Sequence, residues 1–494
     1  MRQCNHRAVL VGLVLAAAVL AGATPLDDYV AAPDPSYRYT LVRTIEAEAY
    51  TAYVLDMVSQ SWRYPTEVDR TLWQHWLTII RPIDAHADTA LLYINGGSNG
   101  TDPPGSASRP LAMIATATRS VVAELKMVPN QPLVFAGGGG RRYEDAIIAY
   151  TFDKYLATGE PNWPLLLPMT KSAVRAMDTV QAFLKSLESG PMQIKKFVVA
   201  GASKRGWTTW LTAAVDKRVV AICPAVIDVL NMAVQMKHHH STYGFWAPAI
   251  RDYELMNVFD RLNTPRGKEL RSLVDPYSYR QRYTMPKLLL NSTGDQFFLP
   301  DSARFYFHDL PGKKYLRYFP NTGHGLDTGA YASVLGFYRA ILTGAELPQF
   351  SWTVRPDGAI VVKPVTRPKQ VRLWQATNEQ KRDFRIDVLG PKWTSSPMKP
   401  KADGTYTGKV AEPPRGWRAY FVELVFDMGP AQTYIFTTEV RVTPEYLPYA
   451  YELEFDKAGD LYGRCPAMRL LAQEPFCLPE SPLKPLLHIP GVLP

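Results

Sequence analysis

Ser203 sits within VVAGASKRGWTTW, residues 198–210, where an apolar run meets a glycine, the serine, two cations and a second glycine. A serine hydroxyl is a weak nucleophile until a base takes its proton, so a chemically useful serine must be accessible and must meet an imidazole. A nucleophile elbow meets the first need by setting the serine in a strained turn between a strand and a helix, with small residues where backbones approach. Strand, turn and helix follow here in that order, with Gly201 two residues before Ser203. The pattern is G-A-S-K-R-G: Arg205 stands in the place of the usual second glycine, and Gly206 follows one residue later. A purely structural turn carries the same G-x-S, so the reading depends on partners elsewhere in the chain.

Two partners follow later apolar runs. LLLNSTGDQFFLP places Asp295 just past a strand, and YFPNTGHGL sets His324 between two glycines, where its ring is free to reach a hydroxyl. Ser203, Asp295 and His324 thus come in the order nucleophile, acid, base. An aspartate after a strand is very often a turn or cap residue, and Asp228 in PAVIDVL or Asp301 are alternative acids. Acyl transfer also needs donors for a developing oxyanion. The backbone N–H of Lys204 is one. Gly96 and Gly97, in INGGSN, are candidates for the second, with the AGGGG run at 136–140, followed by Arg141 and Arg142, as a rival. That run is not a phosphate loop, because no G-K-[ST] follows it. Asn95, Arg205, Trp207 and His239 are the candidate substrate contacts. Lys204 and Arg205 suit either an acidic substrate group or internal ion pairs. His238, His239 and His240 are adjacent and do not converge easily on one ion, so they read as a polar or substrate-edge loop, and neither a metal nor an organic cofactor is expected.

These residues need a frame. TALLYINGGSN, KKFVVAGAS, RVVAICPAVI, MPKLLLNSTGD and KKYLRYFPNTGHG are short apolar runs, several ending in glycines, separated by helical patterns such as MTKSAVRAMDTVQAFLKSLESG. Runs of this kind read as buried parallel strands alternating with helices, which predicts an α/β domain with a mostly parallel central sheet over 24–348, and the order of Ser203, Asp295 and His324 is the one expected of an α/β-hydrolase. TAYVLDMVSQSW and TLWQHWLTIIRP read as antiparallel strands opening that domain. Residues 231–280 interrupt the alternation and are expected to cap the site. From 349 to 445 short alternating strands with turn signals such as PDG and ADG predict an immunoglobulin-like β-sandwich, and 446–494 reads as a proline-rich extension.

The amino terminus has Arg2 and Arg7, then an apolar stretch from Ala8 to Leu20, then small residues to Ala23. It reads as a signal peptide over 1–23, too short to span a bilayer, and predicts a secreted or periplasmic protein. Of the four cysteines, Cys4 falls in that leader and Cys223 reads as a buried thiol, whereas Cys465 and Cys477 are spaced for a disulfide. The net charge of +9 is spread among interspersed acids. With no zinc-finger spacing or basic helical stripe, nucleic acid is not an expected partner.

AGASKRGWTTWLTAAVDKRV, TGDQFFLPDS and PNTGHG together resemble the PhoPQ-activated pathogenicity-related proteins, a family that includes secreted proteins of the autocrine proliferation repressor type. The resemblance runs from about residue 30 to 440. It implies an α/β-hydrolase fold and maps the family's serine, aspartate and histidine onto Ser203, Asp295 and His324. The elbow is also similar to that of glucuronoyl esterases, in which a basic residue follows the serine. Two functions are consistent with these residues. One is a secreted serine hydrolase, an esterase or peptidase acting on a small-molecule or peptide substrate. The other is a non-catalytic binding or signalling protein on the same scaffold, with a surface receptor as its partner.

Overall fold

The computed structural model describes residues 23–188, 190–429 and 433–450. All of the expected leader except Ala23 lies outside these, as do Cys465, Cys477 and the proline-rich stretch from 451 onward. Nine strands build the central sheet: β1 (Arg38–Glu46), β2 (Tyr50–Ser61), β3 (Leu72–Pro82), β4 (Thr89–Ile94), β5 (Val122–Leu125), β6 (Lys196–Ala202), β7 (Val219–Ala225), β8 (Lys287–Ser292) and β9 (Lys314–Phe319). Their order is β1-β2-β3-β5-β4-β6-β7-β8-β9. Pairing is antiparallel from β1 through β3 to β5 and parallel from β5 to β9.

The parallel strands are apolar throughout because both of their faces are covered. Successive side chains point to opposite faces, and the core divides accordingly. Phe197 and Val199 of β6 join one cluster with Val180, Phe183, Trp210 and Leu211 from the helices Leu166–Ser186 and Lys204–Val215. Val198 and Ala200 join the other, with Leu111, Ile114, Phe337 and Tyr338 from Arg109–Thr118 and Gly329–Thr343. Cys223 is buried in that second cluster, and burial pushes its thiol far up, leaving it unreactive. This is the α/β-hydrolase fold, with the Ser203 turn at the end of β6.

Between β7 and β8 the expected cap is helical: Met232–Tyr243, Arg251–Leu255, Val258–Arg261 and Pro265–Val274. The three adjacent histidines are therefore not a loop; they belong to the first of these helices. After Gly329–Thr343 the chain forms two antiparallel sheets, one of three strands and one of five. Ile360 and Val362 of the first share an apolar cluster with Val422 and Leu424 of the second. These sheets are continuous with the hydrolase core. Phe436 stacks on Tyr315 of β9 at 4.5 Å, and the Tyr318 backbone N–H donates to Thr437 Oγ1 at 3.1 Å. The edge strand β9 is thus covered instead of presenting free hydrogen-bonding groups, and the described residues up to Ala450 fall in one compact unit.

Candidate active site

The turn after β6 holds Ser203 at φ 57°, ψ −130°, the residue before the helix Lys204–Val215. A non-glycine residue in such a conformation costs about 1–3 kcal/mol and persists only where its surroundings enforce it. The Ser203 N–H donates to Ala225 O at the end of β7 (2.8 Å). The glycine spacing has a steric cause. A methyl group on Gly201 would lie 2.6 Å from the Arg205 carbonyl oxygen, and one on Gly206 would lie 2.8 Å from Ile227 and 3.0 Å from the Gly201 carbonyl. Strand and helix therefore touch at Gly206, one residue beyond the usual second glycine, which releases position 205 to carry an arginine.

The fold brings Ser203, His324 and Asp295 together. Ser203 Oγ lies 2.8 Å from His324 Nε2, and His324 Nδ1 lies 2.9 and 3.0 Å from the two Asp295 oxygens. With Nδ1–H donating to the carboxylate, Nε2 is left to accept the serine proton. Asp295 is buried and its Oδ1 also accepts the Phe297 N–H at 2.8 Å, which orients the carboxyl group. The imidazole packs against Phe297, whose ring centre is 4.2 Å away, and the His324 backbone N–H donates to the Gln296 side-chain oxygen at 2.9 Å, which fixes the loop.

The two rival acids are engaged elsewhere. Asp228 accepts hydrogen bonds from the Tyr306 and Tyr318 hydroxyls, the latter at 3.2 Å, and burial pushes its carboxyl group up to about 7. Asp301 is also fully buried, yet Arg382 at 2.7 Å and His238 at 3.1 Å hold it well below the usual range.

The cations after the serine are internally neutralised. Arg205 makes a two-pronged pair with Glu144 (2.6 and 2.7 Å) and donates to the Val128 carbonyl, while Lys204 Nζ lies 2.8 Å from Glu144 and 3.0 Å from Asp145. Partial burial acts to raise the Glu144 carboxyl group, but Arg205 and Lys204 outweigh it and bring it down to about 2. Arg205 therefore clamps the start of the helix to Glu144, and it does not line the cavity at Ser203. Asn95 is occupied too, donating to Glu124 at 2.8 Å and accepting from Gly96 N–H at 2.8 Å. That second bond removes Gly96 as an oxyanion donor. The Gly97 N–H has no partner among the described residues, and the Lys204 N–H, first in its helix, has none within the helix. The AGGGG run is an exposed turn, and none of its residues lines the cavity at Ser203.

His239 is likewise structural: it is buried, accepts the Ala247 N–H at 3.1 Å, stacks on Trp246, and burial pushes its imidazole down to about 3. Trp207 does line the cavity beside Ser203, with its indole N–H held by the Val274 carbonyl at 2.6 Å. Among the described residues no group of His, Cys, Asp and Glu is arranged to hold a metal ion.

Sequence reasoning missed the buttress behind the acid and base loops. Ile386, from the segment between the C-terminal strands Gln370–Asn378 and Thr394–Pro397, donates its N–H to the Gly294 carbonyl at 2.9 Å and wedges its side chain against Gly294 and Gly323. Asn321 and Trp393 exchange two hydrogen bonds at 2.8 and 2.9 Å. No local pattern marks these residues, because their partners lie tens of positions away.

Comparison with known proteins gives the chain its family. Residues 26–385 match the PhoPQ-activated pathogenicity-related protein family. The chain is 38% identical over 488 residues to autocrine proliferation repressor protein A of Dictyostelium discoideum, covering 92% of this chain and 97% of that protein. Solved structures similar to it include acetyl xylan esterase 1 from Thermoanaerobacterium sp. JW/SL YS485 (15% identity, TM-score 0.42, covering 64% of this chain and 91% of that chain). Another is a glucuronoyl esterase from Solibacter usitatus (14% identity, TM-score 0.37, covering 64% and 91%). By the extent of the match and the identity to its relative, this chain belongs to the PhoPQ-activated pathogenicity-related protein family.

Proposed function

We propose that this protein is a secreted serine hydrolase that forms an acyl-enzyme on Ser203. The hydrogen-bonded line from Ser203 Oγ through His324 to Asp295 carries the reading. His324 Nε2 takes the hydroxyl proton as Oγ bonds to the substrate's carbonyl carbon, and the charge that moves to the carbonyl oxygen meets the Lys204 N–H. When the tetrahedral species collapses, the bond to the leaving group breaks and His324 returns the proton to it. A water then releases the acyl group by the same steps in reverse. Asp295 keeps the imidazole in the tautomer this requires and stabilises its charged form.

A second reading is supported by the name of the 38%-identical relative, a repressor of proliferation: a secreted signalling protein whose scaffold does no chemistry. One experiment separates them. A fluorophosphonate probe is expected to label the purified protein and to lose at least about 10³-fold in labelling rate with Ser203→Ala or His324→Ala. Equal labelling of wild type and Ser203→Ala, or none of either, would favour the signalling reading.

A further inference from the structure

The cavity that opens onto Ser203 is lined almost entirely by carbon. Its walls include Trp207 and Ile227 beside the turn, Met232 and Met236 from the cap, and Phe297 and Phe298 from the acid loop. Its two charged lining residues, Lys204 and Asp145, are paired with each other at 3.0 Å, and the Tyr253 hydroxyl donates to Asp145 at 2.9 Å. Lys204 and Arg205 together face Glu144 and Asp145, two cations against two anions, so neither cation of the serine turn is free to pair with a charged acyl group. A charged group entering this space would lose its water without gaining a partner.

The site also has an open and a closed side. The His324 side chain is 21% exposed, whereas Lys204 is buried against the cavity. The leaving group must be protonated by His324 and then depart, so it belongs on the open side. The group that stays on Ser203 belongs in the more sheltered, apolar cavity, which measures about 50 Å³. A cavity of about 150 Å³ holds a benzene, so this smaller space suits only a short acyl group.

We infer that the cavity under the cap is an acyl pocket for a short, uncharged, apolar acyl group, so that the hydrolase proposed above, on which this inference rests, acts on esters of small aliphatic acids and excludes acidic acyl groups. Hydrolysis of 4-nitrophenyl acetate, butyrate, palmitate and hemisuccinate by the full chain tests it. Butyrate is expected to exceed acetate in kcat/KM by about tenfold, from two more buried methylenes. Palmitate is expected to fall below butyrate, and hemisuccinate, similar in length but carrying a carboxylate, to fall about 100-fold below it. Met236→Trp, which fills the pocket from the cap, is expected to bring the butyrate-to-acetate ratio near one, with fluorophosphonate labelling of Ser203 reporting that the variant is folded.

A wild-type preference for acetate, or hemisuccinate turned over as well as butyrate, overturns the acyl pocket and leaves the nucleophile standing, because probe labelling persists. If labelling and every ester fail together, the hydrolase reading falls and takes the pocket with it.

Discussion

Asp228 and Asp295 occupy equivalent places on neighbouring strands, each three residues past the end of β7 or β8, and both are buried. Their partners make them different groups. Asp295 faces an imidazole that can carry a positive charge. Asp228 faces two phenols, Tyr306 and Tyr318, which donate hydrogen bonds but bring no charge, and burial then pushes its carboxyl group up to about 7. Glu144 shows the opposite limit: it too is partly removed from water, but two cations bring it down to about 2. Position at a strand end supplies a carboxyl group; the partner decides whether it stays ionised and what it can do.

Replacing each acid by its amide separates the two most clearly. Asp295→Asn is expected to lower kcat on the best ester by about 10³–10⁴-fold, since the amide no longer holds the imidazole in the tautomer that accepts the serine proton. Asp228→Asn is expected to stay within about tenfold of wild type. Comparable losses in both variants would return the acid to an open question.

The next contrast lies in stability against pH. Asp228 is raised in the folded protein, so its contribution is fully present below its unfolded value of 3.8 and is lost as pH rises through about 7. Asp228→Asn removes that loss. Denaturant titrations should show the variant gaining on wild type by about 2–3 kcal/mol between pH 5 and pH 8, and a pH-independent difference would mean that Asp228 is not raised.

Glu144 has the reverse sign. Its depressed carboxyl group contributes stability that is present above its unfolded value of 4.5 and is lost as pH falls through about 2. Because the side chain is 37% exposed, solvent screens part of the attraction. Glu144→Gln is expected to cost about 1–2 kcal/mol at pH 7, with the difference shrinking toward pH 2. A cost unchanged at low pH would assign the effect to packing, not charge.

Much of the frame was legible locally. An apolar run ending in glycine reads as a buried strand wherever it occurs, and the Gly201, Ser203 and Gly206 spacing describes a strand-to-helix turn within one short stretch. The order of Ser203, Asp295 and His324 is a property of the chain itself. The substrate contacts were not legible in the same way. Arg205 and His239 have the right chemistry for binding, but Glu144 claims the first and the Ala247 N–H with Trp246 claims the second. Asn95 and Gly96 were lost as candidates for the same reason, since each satisfies a neighbour first.

The strands, the strained serine turn and the order of Ser203, Asp295 and His324 are readable from the residues alone, because turn geometry and apolar periodicity are written within a few positions. The packed chain was needed to settle which carboxyl group meets His324, that Lys204 and Arg205 are taken up by Glu144 and Asp145, and that Ile386, between two C-terminal strands, props the loops of Asp295 and His324. Those outcomes depend on charges and hydrogen bonds between residues far apart in the chain, each settled by whichever partner the fold brings closest.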